Sequence, residues 1–417
     1  MNVRITPAPL SGEITAISSK SDAHRLLILS ALSKGTTHIR LNRRSDDIDT
    51  TIGCLCAMGA QIESVSDGLV VHGIRTFSDD PLLDCGESGS TFRFLLPVAA
   101  ACCDSARFTG RGRLPDRPIH ELTRVMQSHG VRFSAGRLPF SISGRLRGGD
   151  FALPGNVSSQ YLTGLLLALP LLNENSAVTL TTKLESAAYV DITLSALKRF
   201  GICVSVGNGV YSIPGKQTCA SPGEIRADGG WSNAAFFLAA GALGQPVRVS
   251  GLDMDSPQGD KKILDLLRAF GADGSVSGDT VTVSPANLTG IEIDVGETPD
   301  LLPVLAVVAA CARGETRFVN AARLRLKESD RLTATAALIN GLGGDARELP
   351  DGLVVRGGTL AGGTVESFHD HRIAMAAAIA AIQCGKPVTI LDADATAKSY
   401  PAFYEDYRNL GGSVDVV

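Results

Sequence analysis

Residues 49–73 read DTTIGCLCAMGAQIESVSDGLVVHG: an amphipathic helix, a glycine stop at Gly59, and two short strands joined by a turn. Apolar side chains recur at helical spacing before the glycine, and the glycine sits where a helix needs a left-handed C-terminal cap. The same order returns as IHELTRVMQSHGVRFSAGRLPFSISG (119–144) and DITLSALKRFGICVSVGNGVYSIPG (191–215). It returns again as DKKILDLLRAFGADGSVSGDTVTVSP (260–285) and LTATAALINGLGGDARELPDGLVVRG (332–357), and a truncated copy, EDYRNLGGSVDVV (405–417), ends the sequence. The capping glycines are Gly59, Gly130, Gly201, Gly271, Gly343 and Gly411, separated by 71, 71, 70, 72 and 68 residues. Ordinary helices placed independently would rarely keep that spacing, so the chain is read as six copies of one unit.

Between these helices lies a second kind, apolar nearly all round and followed by a strand. The first half contains HRLLILSALSKGTTHIRL, STFRFLLPVAAACCDSARFTG and QYLTGLLLALPLLNENSAVTLT. The second half contains SNAAFFLAAGALGQPVRVSGL, DLLPVLAVVAACARGETRFVNA and DHRIAMAAAIAAIQCGKPVTILDA. A helix with no polar face is buried on all sides, so these belong inside and the amphipathic ones face outward. A period of about 70 residues exceeds that of solenoid repeats, which predicts closed globular domains rather than an open array. The length of 417 residues also exceeds what one core usually serves. Three units per domain follows, with a boundary near residue 227 in the breaker-rich stretch GKQTCASPGEIRADGGWSN.

Composition narrows the function. Hydrophobic residues make up 44% and charged residues 20%, the balance of a soluble globular chain. A net charge of −4 argues against a general nucleic-acid footprint, so any anion site must be built locally. The nine cysteines show neither paired zinc spacing nor disulfide density and read as reduced core thiols. The first residues lack signal-peptide and transit-peptide patterns, and the longest apolar runs are too short to span a bilayer. A soluble, cytoplasmic protein is expected, monomeric by default.

The stretches at the starts of the apolar helices are polar and rich in small residues: SSKSDAHR, GESGSTFR, NVSSQY, DGGWSN, GETPDLL and HDHR. Unpaired N–H groups and the positive end of the helix dipole suit anions there. Plain N-capping explains each motif equally well when taken singly. Basic residues beside the caps favour the functional reading: Lys20 and Arg25 flank Ser21, Arg93 follows GESGST, and Arg372 follows HDH. Arg117 lies in GRGRLPDRPIH; Arg323, Lys327, Glu328 and Arg331 lie in ARLRLKESDRL; Lys398 lies in DATAKSYP. An acidic protein that keeps cations at these places is read as binding a multiply anionic substrate. In KESDR the spacing predicts Lys327 and Arg331 on one helix face with Glu328 pointing elsewhere, although an ordinary charged surface has the same pattern. His369 and His371, with Asp370 between them, could suggest a metal-ligand pair, but no further ligand stands at zinc spacing, so no metal is expected. Neither a G-x-S-x-G elbow nor a nucleotide P-loop occurs, and no cofactor is implied.

Taken together, SSKSDAHR, SGSTFR, LPDRPI, SSQYLTGLL, TPDLLP, LKESDRL, DHRIAM and AKSYP resemble the 5-enolpyruvylshikimate-3-phosphate synthase family in order and approximate spacing, from Lys20 to the last repeat. The resemblance implies an α/β fold of two similar domains, each three βαβαββ repeats with buried helices, an inside-out α/β barrel. It implies that the N-terminal strand joins the C-terminal half. The domains would be 1–19 with 228–417, on the phosphoenolpyruvate side, and 20–227, on the shikimate 3-phosphate side.

The resemblance further implies that Lys20, Ser21 and Arg25 hold shikimate 3-phosphate, that Ser158, Ser159 and Ser186 bind its phosphate, and that Gln160 touches both substrates. Gly89, Arg117, Arg331, His371, Arg372 and Lys398 would serve phosphoenolpyruvate, which Lys20 also reaches. Asp300 would contact the shikimate hydroxyls with Lys327 and act as the base, with Glu328 or Lys20 as the acid. The active site is expected in the cleft where helix starts of both domains meet. Glu87 and Arg323 depart from the asparagines common in the family, and a carboxylate in an anion site predicts that Glu87 is paired. Three rival readings are a UDP-N-acetylglucosamine enolpyruvyl transferase, a non-catalytic phosphate-binding relative and an RNA-end-processing enzyme. The first lacks its reactive cysteine in LPDRPI; retained Asp300, Glu328, Lys20 and Lys398 speak against the second; the third would need a more basic surface.

Overall fold

The computed structural model describes residues 1–417, which separate into two compact units: Met1–Ser19 with Asp228–Val417, and Lys20–Ala227. Each unit has its own hydrophobic core. Twelve α-helices follow one another as α1 (Lys20–Leu32), α2 (Asp46–Ala57), α3 (Gly89–Cys102), α4 (His120–Ser128), α5 (Ser159–Ala168), α6 (Ala187–Arg199), α7 (Trp231–Leu243), α8 (Ile263–Phe270), α9 (Leu302–Cys311), α10 (Arg331–Gly341), α11 (His371–Ala380) and α12 (Phe403–Asn409).

The odd-numbered helices are the apolar ones and are sheathed in protein. In α11 all ten residues are buried, and in α9 all but Cys311. The even-numbered helices bury one face; α8 buries Ile263, Leu264, Leu267 and Phe270 and exposes Asp265 and Arg268. All six capping glycines take positive φ, between 75° and 115°, where a side chain would be strained. No helix is long and apolar enough to cross a membrane.

Each unit carries three four-stranded sheets, and each sheet joins one parallel pair to two antiparallel pairings. In one, Gly149–Leu153 runs parallel to Ser176–Leu180 with α5 as the crossover, and the following hairpin strands Ser205–Gly207 and Val210–Ile213 complete it. The truncated sixth repeat is completed from the other end of the chain. Val3–Thr6 lies between Val388–Leu391 and Ser413–Val416, with Val3 opposite both Ile390 and Val416. It occupies the place that a second hairpin strand fills in the other repeats, so the repeat is whole although its sequence is not. The sheets stay separate: no strand pairing joins them into a closed barrel, which corrects the barrel part of the fold expectation. Two cysteines also depart from expectation. All nine are free thiols, but Cys56 and Cys203 are exposed rather than in the core.

In the unit Lys20–Ala227 the buried helices α3 and α5 meet at Gly164. A Cβ added there would lie 2.2 Å from the Arg93 carbonyl oxygen and 3.1 Å from Pro97 Cγ. Gly164→Ala would force two helices apart that nothing else can let go. We expect a loss of about 1–3 kcal/mol, the usual cost of overpacking a core, measured as a lower denaturant midpoint with the m-value unchanged.

Candidate active site

The starts of α1, α3 and α5 bring together most of the residues expected in the unit Lys20–Ala227. Ser88 caps α3 and accepts from Thr91 N; Ser158 caps α5 and accepts from Gln160 N at 3.3 Å. Ser186 stands ahead of α6 with φ 55°, a left-handed conformation unusual for serine. Gln160 links two of these helix starts: its Oε1 accepts from Arg93 at 2.7 Å, and its Nε2 donates to Ser90 Oγ at 3.0 Å. Gly89 lies under both guanidinium groups of the cluster, since a Cβ there would come within 2.7 Å of Arg117 and 3.0 Å of Arg93. Arg93, beside the cap in GESGSTFR but given no substrate role above, is thus the residue that fastens Gln160, and its other arm donates to the Pro118 carbonyl at 2.8 Å.

Around α1, Lys20 Nζ pairs with Asp47 at 2.7 Å, a partner the sequence motifs did not single out. Arg25 is only 2% exposed, and its donors are committed to Thr193, Thr163 and the carbonyls of Ser21 and Tyr189, with Phe94 stacked 4.9 Å below. Burial pulls its guanidinium down to about 10. Arg25 therefore knits α1 to α5 and α6, and Ser21 at its side is presented by the same turn. Glu87 is engaged rather than bare, and its carboxyl lies against Gly112, where a Cβ would come within 2.6 Å.

The second group is in the other unit and centres on Asp300, in the 3-10 turn Pro299–Leu301 that leads into α9. Its carboxylate meets Arg331 at 2.7 Å, Arg372 at 2.9 Å and Lys327 at 3.4 Å. Burial works against its charge, but Arg372, Lys327 and Arg331 together outweigh burial and hold the carboxyl well below the usual carboxylate range. Burial likewise lowers Lys327, with Asp300 opposing.

Arg331 is fully buried and is the hub: besides Asp300 it reaches Glu328 at 2.7 Å and Asp370 at 2.8 Å. Asp370 also accepts from Ser329 Oγ and caps α11 through the Arg372 N–H at 2.9 Å. Asp370 thus holds the Arg331 guanidinium and the first turn of α11; no group of three or more His, Cys, Asp or Glu side chains is arranged to hold an ion. His371 is buried directly after it, Lys398 is 8% exposed at the end of the 3-10 turn Ala393–Lys398, and Arg323 donates to the Gly296 carbonyl at 2.9 Å.

The expected helix face in KESDR is corrected by this geometry. Lys327 is extended, with φ −87° and ψ −162°, and Asp330 caps the helix by accepting from Thr333 N, so α10 begins only at Arg331. A capping aspartate leaves the preceding residues outside the helix. Lys327 and Arg331 do converge, but on Asp300, and Glu328 turns back to Arg331 instead of away.

One more carboxylate belongs to this group and was not anticipated. Asp260, 3% exposed, accepts from Ser232 Oγ at the start of α7, while its Oδ1 is buried without a hydrogen-bond partner. Burial, then the charge of Asp300, raises its carboxyl to about 6, against the pull of Arg372 and Lys327.

Two units of paired α/β repeats around buried helices define a fold class that the enolpyruvyl transferase NikO from Streptomyces tendae shares (TM-score 0.81, 19% identity, 99% and 98% of the two chains covered). The particular family follows from closer matches. A model of the EPSP synthase family, 3-phosphoshikimate 1-carboxyvinyltransferase, matches residues 5–407. The 3-phosphoshikimate 1-carboxyvinyltransferase of Clostridium novyi is 41% identical, covering 99% of this chain and 98% of its own. EPSP synthase from Acinetobacter baumannii superposes with a TM-score of 0.82 over the whole of both chains at 27% identity. The chain belongs to the EPSP synthase family.

Two measurements test the electrostatics. Asp370→Ala removes the partner of a buried guanidinium and a helix cap at once, and we expect a loss of about 3–5 kcal/mol in urea unfolding. Asp260 has a raised folded value, so its contribution to stability is fully present below the ordinary 3.8 and is lost as pH rises through about 6. Asp260→Asn should therefore gain stability relative to the natural protein across that window, read from melting temperatures at several pH values; a pH-independent difference would contradict the raised value.

Proposed function

We infer that the chain transfers the enolpyruvyl group of phosphoenolpyruvate to the 5-hydroxyl of shikimate 3-phosphate and releases phosphate, in the shikimate route to aromatic amino acids. Membership of the EPSP synthase family supports the activity, and the observation that carries the assignment of chemistry is the convergence of Lys327, Arg331 and Arg372 on one largely enclosed carboxylate, Asp300.

In this reading the hydroxyl oxygen adds to C2 of phosphoenolpyruvate while its proton passes to a base and an acid protonates C3, giving a tetrahedral intermediate. The C2–O bond to phosphate then breaks, a proton leaves the new methyl group, and the enol ether forms. Asp300 is our base. Its own cations suppress its basicity as long as they rest on it, and the carboxylate and phosphate of phosphoenolpyruvate compete for the same guanidinium groups. Substrate binding would in this way release the base it needs. Glu328, fixed to Arg331, or Lys20 supplies the proton to C3. Arg117, Arg331, Arg372 and Lys398 hold phosphoenolpyruvate and stabilise the departing phosphate, and Gly89 lets Arg117 lie flat against the start of α3. Lys20, Ser21, Arg25, Ser158, Ser159, Gln160 and Ser186 hold shikimate 3-phosphate, joined by Asp300 and Lys327; Arg25 also fixes Ser21 through its carbonyl.

Purified protein should release phosphate from phosphoenolpyruvate only when shikimate 3-phosphate is added. Release with UDP-N-acetylglucosamine instead would reassign the acceptor, and release with neither would leave a non-catalytic relative. Asp300→Ala should lower kcat by more than about a hundredfold, the low end of general-base contributions. A near-normal kcat would remove Asp300 from the base role.

A further inference from the structure

Asp260 has no part in the roles assigned above, yet it is built as a proton site. It lies in the 3-10 turn Gly259–Lys262, and both of its oxygens are inside the protein. Oδ2 accepts from Ser232; Oδ1 has no hydrogen-bond partner. An ionised carboxylate normally collects several donors when buried, so this one is poorly compensated. The groups acting on it come from every neighbouring element: Ser232 from α7, Asp300 from the turn before α9, Lys327 from the segment before α10 and Arg372 from α11. The lysines of its own turn do not help, since Lys261 is bound to the carbonyls of Met254 and Ser256 and Lys262 is exposed; Asp265 and Arg268 of the following helix are exposed as well. What favours the ionised form of Asp260 is thus the positive charge of Arg372 and Lys327, shared with Asp300, and the single hydrogen bond from Ser232.

Those cations are the ones read above as meeting substrate, and the inference rests on that reading. Phosphoenolpyruvate brings a carboxylate and a phosphate to them. Each guanidinium turned toward substrate is withdrawn from the carboxylates behind it, and the added negative charge raises the proton affinity of both. Asp300 starts far on the acid side; Asp260 starts near neutrality and is the first to respond.

We propose that Asp260 takes up a proton from solvent when phosphoenolpyruvate binds, and that Ser232 reverses its hydrogen bond as this happens. The ionised carboxylate accepts from the serine; the protonated carboxyl donates to Ser232 Oγ, and the serine hydroxyl hydrogen is then free to point out of the start of α7. A hydroxyl can exchange donor for acceptor by rotation alone, so the switch requires no backbone movement. Trp231, the only tryptophan, precedes Ser232 and is fully buried, which provides an optical reporter at the same helix start.

The test is a carboxyl-carbon NMR titration of the full chain labelled at aspartate, with and without saturating phosphoenolpyruvate. Binding is followed separately by Trp231 fluorescence and by equilibrium dialysis of labelled phosphoenolpyruvate. The resonance that vanishes in Asp260→Asn should titrate near 6 in the free protein and move up by about one pH unit or more with ligand. Ser232→Ala removes the one donor to the ionised form and should raise the free-protein midpoint of the same resonance, which keeps the assignment open to test if Asp260→Asn does not fold. A midpoint unchanged by ligand that dialysis shows to be bound would overturn the inference alone. Phosphoenolpyruvate that does not bind would overturn the reading of the site as well.

Discussion

A helix that is apolar on every side cannot lie on a surface, and the rest of this structure follows from that constraint. Six such helices have to be enclosed, three in each unit, and sheets and amphipathic helices do the enclosing. The interior is therefore made of helices, and sheets that would elsewhere form a core form the coat. Buried helices also have ends, and the N-terminal ends carry unpaired N–H groups that something must satisfy. Serine and aspartate caps do part of this, at Ser88, Ser158, Asp330 and Asp370.

Several of the cations at those helix starts already have a carboxylate partner, while Arg25 and Arg93 are held by hydroxyl, amide and carbonyl oxygens instead. Arg331 is held among Asp300, Asp370 and Glu328, and Lys20 is held by Asp47. A buried guanidinium without such partners would be costly, and one fully neutralised by them would bind nothing more. The balance differs from one carboxylate to the next. Asp370 caps α11 and fixes the Arg331 guanidinium, whereas Asp300 meets three cations. Asp260 has the weakest compensation of all. The carboxylates thus form a graded set, from fully engaged to sparsely compensated.

The repeat architecture also explains which elements vary. Five repeats carry both hairpin strands in sequence; the sixth carries one and takes the other from Val3–Thr6, more than 380 residues away along the chain. The ends of the polypeptide are thereby paired in one sheet, and the unit that contains them is closed although the other unit is inserted within it. Tying the first strand to the last is a long-range contact, with the loop-closure cost such contacts carry.

The repeat was legible in the sequence because its signals are local. Glycine at a helix stop, apolar spacing along a helix and a hairpin turn depend on neighbours within a few residues, and all six glycines take the predicted left-handed conformation. The cations beside the caps were legible for the same reason, and the family resemblance lent them roles. What the sequence alone could not determine was partnership. The helix face drawn through Lys327 and Arg331 failed because Asp330 caps a helix that begins only at Arg331, leaving Lys327 outside it, and the two cations meet on Asp300 instead. The pairing of Lys20 with Asp47, the seat of Asp260 on Ser232 and the tie between Arg93 and Gln160 were not legible even where the stretches themselves stood out, since these contacts join residues 27 to 67 positions apart that only the packed chain brings within hydrogen-bond reach. Local order is written in the sequence; which charge faces which, and how deeply, is decided by tertiary packing, because Coulomb energy and desolvation depend on distance through space and not along the chain.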